Sequence, residues 1–218
     1  MRDTMLQRGL REVVNTHMEP GSSPTHRVRT VLEPGHWQAY DPFLLLNEDW
    51  FHAGTFADHP HRGFETVTYV LEGRLEHFDN RGGRGSLGAG DAQWMTAGRG
   101  VIHNENPDPQ HPVHSLQLWV NLPAALKLVE PRYQDLRGSD MPVRRADGAE
   151  MRVFSGSSGD ARASTSNHVP VTMVDFRLSP EAAVTQDLPA VYNGFFYLLE
   201  GSGRFGVAET KAHAGQVV

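Results

Sequence analysis

The chain has 218 residues, enough to bury one sizeable core or two small ones. Hydrophobic residues make up 39% and charged residues 21%, the balance of a soluble globular protein. A formal net charge of -6 argues against the basic stripe of a direct nucleic-acid binder. The absence of cysteine removes disulfides, thiolate metal sites and cysteine nucleophiles together.

The opening Met1-Arg2-Asp3-Thr4-Met5-Leu6 leads into mixed polar sequence. No secretory signal and no bilayer-spanning stretch is expected, and the expected location is cytoplasmic. Glycine and proline then punctuate the chain at short intervals, with runs rich in Val, Thr, Phe, Tyr and Leu between them. That pattern predicts many short antiparallel strands, among them 27–32, 43–46, 64–71, 75–78, 116–121, 172–178 and 194–199. Helix signals are few, at 124–128 and 181–183. The Gly-, Ser-, Ala- and Arg-rich stretch from Arg144 to Asn167 reads as a domain connection or mobile loop.

A faint repeat runs through the chain. The segment from Phe64 to Gly73 and the segment from Gly194 to Gly201 both end in Leu-Glu-Gly, and Gly90-Asp91 has a counterpart in Gly215-Gln216. Two copies of one barrel would produce this. The copies differ where chemistry is concerned. His59 and His61 lie 14 and 12 positions before Gly73, and the same offsets from Gly201 give Asp187 and Pro189. The second copy also stops soon after its Gly215 turn, so the chain is expected to be shorter than its gene product.

Two short motifs carry the chemistry: His59-Pro60-His61 and His103-Asn104-Glu105. Residues two apart on a strand point to the same side, so each motif aims two donors into one space. Three imidazoles and a carboxylate suit a divalent transition metal if the two strands meet inside a barrel. The order of the segment is turn, His-x-His, strand, Leu-Glu-Gly turn, strand, Gly-Asp turn, Gly-Arg-Gly, His. It is the order of the two halves of a cupin motif. The runs HPHRGFETVTYVLEG, GDAQWMTAGRGVIHNE and LQLWVNLP resemble the pirin family closely, from about Asp41 to Leu136.

The resemblance implies an all-β bicupin of two jelly-roll barrels, the second incomplete in this chain. Residues 1–137 would form a metal-binding barrel and 138–218 a degenerate one. It implies His59, His61, His103 and Glu105 as ligands of one divalent metal, iron(II) first, with Mn, Ni, Cu, Co or Zn as alternatives. Glu105 would also serve as catalytic base. Glu65 is the alternative carboxylate, or a side chain that orients a ligand histidine. The implied activity is quercetin 2,3-dioxygenase: a flavonol and O2 as substrates, with ring cleavage and release of carbon monoxide. The second implied role is a redox-responsive regulator acting through a protein partner. Of the remaining side chains, His77 reads as structural or surface. His111 and His114 read as loop residues, with one of them a candidate for the pocket mouth. Trp94, Met95 and Trp119 read as core, with Trp94 or Met95 as the alternative cavity wall; Gln93 and Gln117 read as buried hydrogen-bonders, and Arg62 and Arg99 as loop braces with substrate binding as the alternative.

Overall fold

The computed structural model describes residues 7–218; the opening Met1–Leu6 lies outside them. Every strand pair is antiparallel. A seven-stranded sheet runs in the spatial order Arg132–Leu136, Ala92–Thr96, Phe64–Glu72, Val113–Asn121, Phe43–Phe51, Arg27–Leu32, Met18–Pro20. A four-stranded sheet runs His59–His61, Val101–Pro107, Arg74–Asp79, Arg84–Gly88. The two sheets close on an apolar cluster of Phe51, Val70, Leu75, Leu87 and Val113, which draws on both. Together they make the first barrel of a cupin fold.

The alternation of each strand decides what lies inside. In Phe64–Glu72, Thr68 faces the interior, while Val67 and Tyr69 face outward and join a larger cluster with Leu46, Trp94 and Leu118. Phe154, Val171 and Val217 of the second half cover that outer face. The seven-stranded sheet is therefore covered on both sides around Phe64–Glu72, which is why that strand reads as an almost unbroken apolar and threonine run.

The second half contains the sheet Val143–Ala146, Ala149–Ser155, Met173–Leu178, and the hairpin Ser202–Phe205 with Thr210–His213. The stretch 144–167, expected to be a connection or mobile loop, is instead largely stranded. Its Gly and Ser content masks an alternation in which Ala149, Met151 and Val153 are buried. The segment 194–199 is less regular than expected. It pairs with the end of the chain through Phe196 with Val218 and Leu198 with Gly215 and Gln216, with Tyr197 as an isolated bridge to Val217. Of the two helix signals, the first becomes a single 3-10 turn at Ala124–Leu126 and the second a turn at Glu181.

The repeated landmarks adopt the same backbone. Gly73 and Gly201 both have positive φ, at 84° and 71°. Val70, three residues before Gly73, accepts from Gly90 N–H at 2.8 Å and donates to Asp91 at 3.0 Å. Leu198, three residues before Gly201, accepts from Gly215 N–H at 2.8 Å and donates to Gln216 at 3.0 Å. Among the described residues no helix is long and apolar enough to cross a membrane.

Candidate metal centre

The strand His59–His61 pairs with Val101–Pro107 so that His103 lies opposite His59 and Val101 opposite His61. This register brings three imidazoles together at one end of the first barrel. Their ring centroids are 4.8 Å apart for His59 and His61, 4.6 Å for His59 and His103, and 4.9 Å for His61 and His103. One nitrogen from each lies within 4.8 Å of the others.

Hydrogen bonding leaves these nitrogens for a ligand. His59 Nδ1 is 2.8 Å from the Ala57 carbonyl, which can only accept, so the ring donates there and Nε2 carries the free lone pair. His61 Nε2 and both ring nitrogens of His103 are buried without a hydrogen-bond partner among the described residues. Buried polar atoms are normally satisfied, and three converging imidazoles are satisfied together by a divalent cation. Burial, reinforced by the neighbouring His103 and His59, pushes His61 down to about 3; Glu105 opposes this more weakly. Burial, reinforced by His59 and His77, pushes His103 down to about 3. Both rings are thus neutral at neutral pH, the form that binds a metal.

Glu105 stands beside the cluster on the same strand as His103. It is 4% exposed. One carboxylate oxygen accepts from Thr68 Oγ1 at 2.9 Å and the other from Gln117 Nε2 at 2.8 Å. The Gln117 carbonyl oxygen in turn accepts from Trp119 Nε1 at 3.1 Å, which fixes the amide's orientation. The Trp119 ring packs 5.3 Å from His61 and 4.7 Å from Phe64.

Other sequence expectations are redistributed. Glu65 is fully buried, but it shares its strand with Thr68 at an odd spacing and so lies on the opposite face of the sheet. It accepts from Thr96 Oγ1 at 2.7 Å, away from the imidazoles, and orients none of them. His77 is 2% exposed rather than on the surface, directly opposite Glu105 in register and 4.3 Å from the Tyr133 ring. Burial lowers its basicity. His114 belongs to the strand Val113–Asn121, not to a loop; it stacks on Trp50 and bonds Glu48 at 2.8 Å. His111 is exposed beside Asp108. Trp94 and Met95 are core, and Trp119 is not: it walls the site. Gln93 bonds Asp135 and Gln117 bonds Glu105, while Arg99 pairs with Glu130. Sequence reasoning missed Thr68 as a partner of Glu105. Its even spacing from Phe64 along the strand was the available signal.

The family model for pirin matches residues 25–120. A pirin-like protein of Solanum lycopersicum is 42% identical over 190 residues, which are 85% of this chain and 65% of that protein. The chain belongs to the pirin family. It spans under two thirds of the length of the curated pirins it matches. Solved structures repeat its fold closely. GK1651 from Geobacillus kaustophilus superposes with a TM-score of 0.94 at 60% identity, over 97% of this chain and 85% of that one. Quercetin 2,3-dioxygenase from Acinetobacter baumannii superposes with a TM-score of 0.86 at 29% identity, over 98% of this chain and 78% of that one.

Proposed function

We propose that this pirin-family chain is a metal-dependent oxygenase of the quercetin 2,3-dioxygenase type. Residues 18–137 form the catalytic barrel, and 138–218 form a second barrel that covers its outer sheet face and, contrary to a boundary drawn at residue 1, takes the strand Val14–Asn15 as the partner of Gln216–Val217. The observation that carries the reading is the set of three converging imidazoles, two of them buried with unpartnered ring nitrogens, beside a carboxylate whose two oxygens are both oriented. The fold similarity to a quercetin 2,3-dioxygenase supports the choice of substrate class.

His59, His61 and His103 supply three nitrogen ligands and Glu105 the oxygen ligand of one divalent metal, iron(II) in our reading. A divalent metal held there would supply Lewis-acid activation of a flavonol hydroxyl and the redox chemistry that O2 requires. The chain's own residues do the rest. Glu105 accepts the 3-hydroxyl proton, and Thr68 and Gln117 hold its carboxylate in position to do so. Trp119 and Phe64 give the site an aromatic wall that excludes water and suits a flat substrate. O2 then enters the heterocycle and one ring carbon leaves as carbon monoxide.

Aerobic turnover of quercetin by metal-loaded protein tests this. Substrate loss and carbon monoxide release are expected for the native chain and neither for His59→Ala. Absence of turnover with each of Fe, Mn, Ni, Cu and Co would remove flavonols as the substrate.

A further inference from the structure

Lys127 lies in the loop after the strand Val113–Asn121 and turns its ammonium inward. The usual course for a surface lysine is the reverse: the stem lies along the protein and the charge reaches water. Here Nζ donates to the Gly63 carbonyl at 2.9 Å and to Asn121 Oδ1 at 2.7 Å. Gly63 is two residues beyond His61, and the stem of Lys127 packs against it. Both acceptors are neutral oxygens.

The same loop grips the other ligand strand. Val129 accepts from Arg99 N–H at 2.9 Å, in the turn that leads into Val101–Pro107. Gly63 N–H donates to Gly98 at 2.8 Å, joining the two turns. Asn121 is itself fixed by its N–H to Pro42 at 2.7 Å. The loop 123–130 thus clasps the turn that follows His61 and the turn that precedes His103. Lys127 is the only side chain of that loop that hydrogen-bonds the His61 turn among the described residues.

We propose that Lys127 is a positioning residue for the metal: it holds the His61 turn in ligating geometry and, through its charge, favours the lower oxidation state of the bound ion. The inference rests on the metal-centre reading above. The physical basis is twofold. Groups that orient ligands govern how firmly the ion is retained. A cation hydrogen-bonded only to neutral oxygens adds a repulsion that grows with the charge of the metal.

The test uses the full chain loaded with iron and two variants. Lys127→Met keeps the stem and loses the charge and donors; Lys127→Arg keeps the charge. Three quantities are read: the rate of iron release to a strong chelator, the reduction potential, and the melting temperature of the metal-free protein. Lys127→Met is expected to release iron about 10- to 100-fold faster and to have a lower potential. Lys127→Arg is expected to keep the native potential. Release at the native rate from loaded Lys127→Met overturns the proposal alone. A lowered melting temperature with an unmoved potential also overturns it, because the residue would then be structural only. Should Lys127→Met not fold, Lys127→Gln, which keeps a donor and loses the charge, is read in its place: a native potential overturns the proposal and a lowered one supports it. A native chain that takes up no iron overturns the proposal together with the metal reading.

Discussion

The two halves of the chain share a turn and differ in what the turn serves. Val70 with Gly90 and Asp91, and Leu198 with Gly215 and Gln216, make the same pair of backbone bonds, next to glycines in the same conformation. In the first half the strand before this turn is preceded by His59 and His61, which meet His103. In the second half the equivalent offsets hold Asp187 and Pro189, and both are occupied structurally. Asp187 accepts from Gly159 N–H at 2.8 Å, and the Pro189 carbonyl accepts from Arg8. The frame of the barrel is thus set by glycines and alternation, independently of the side chains that make a site. A half can keep the first and lack the second.

The largest expected effect separates the halves by their metal. His61→Ala or His103→Ala leaves two imidazoles and is expected to abolish stoichiometric iron uptake, read by elemental analysis. Asp187→Ala in the second half is expected to leave uptake at the native level. Metal loss on Asp187→Ala would mean that the second half takes part in the centre, and the contrast drawn above would collapse. Within the first half, Glu105→Gln is expected to lower kcat/KM for quercetin by about 10²- to 10⁴-fold, the usual contribution of a positioned base. Gln117→Leu leaves one Glu105 oxygen without its donor and is expected to act in the same direction, more weakly.

Much of the first half was legible because its rules are local. A two-residue period puts His59 and His61 on one side, and His103 and Glu105 on one side, whatever the rest of the chain does. Two things limit the rest: parity has to be carried along the whole strand, and register between strands is not local. Glu65 was weighed as a ligand because it follows the His-x-His closely, yet its parity with Thr68 already placed it on the other face. His77 is structural, one of the two readings its sequence left open, and only pairing across to Glu105 shows that it faces the barrel interior. Lys127 gave no signal at all: its role depends on a loop folding back onto the turn after His61, and no periodicity records that. In the second half, Gly and Ser content concealed the strand Ala149–Ser155, whose buried Ala149, Met151 and Val153 follow the same period as the strands of the first half.

Acid is expected to act on the halves in sequence. His61 and His103 titrate at about 3 in the folded, metal-free chain and near 6.5 when unfolded. Their folded values are depressed, so the unfolded chain binds more protons between these limits. The stability this gives the first half is complete above about pH 6.5 and declines as pH falls toward 3. The second half has no buried imidazole among the described residues. Hydrogen exchange on metal-free protein should therefore show Phe64–Glu72 losing protection at a higher pH than Ala149–Ser155. Bound metal should delay that loss, since protons and the ion compete for the same nitrogens. Simultaneous loss in both strands, unaffected by metal, would show that these two histidines do not control the acid response.

The smallest effect probes the shared turn itself. Gly73 and Gly201 have the same left-handed backbone, which costs an alanine about 1–2 kcal/mol. Their surroundings differ. A methyl group at Gly73 would lie 2.5 Å from the Pro112 carbonyl oxygen, which is backbone and fixed by the neighbouring strand, whereas nothing lies within 4 Å of one at Gly201. Gly73→Ala should therefore add a steric penalty to the conformational one and cost about 3 kcal/mol or more in urea unfolding. Gly201→Ala should cost only about 1 kcal/mol, the conformational part alone. Equal costs would mean that the backbone conformation dominates at both turns and that packing around Gly73 relaxes freely. A larger cost at Gly201 would contradict the equivalence of the two turns, because the open position would then be the more constrained one.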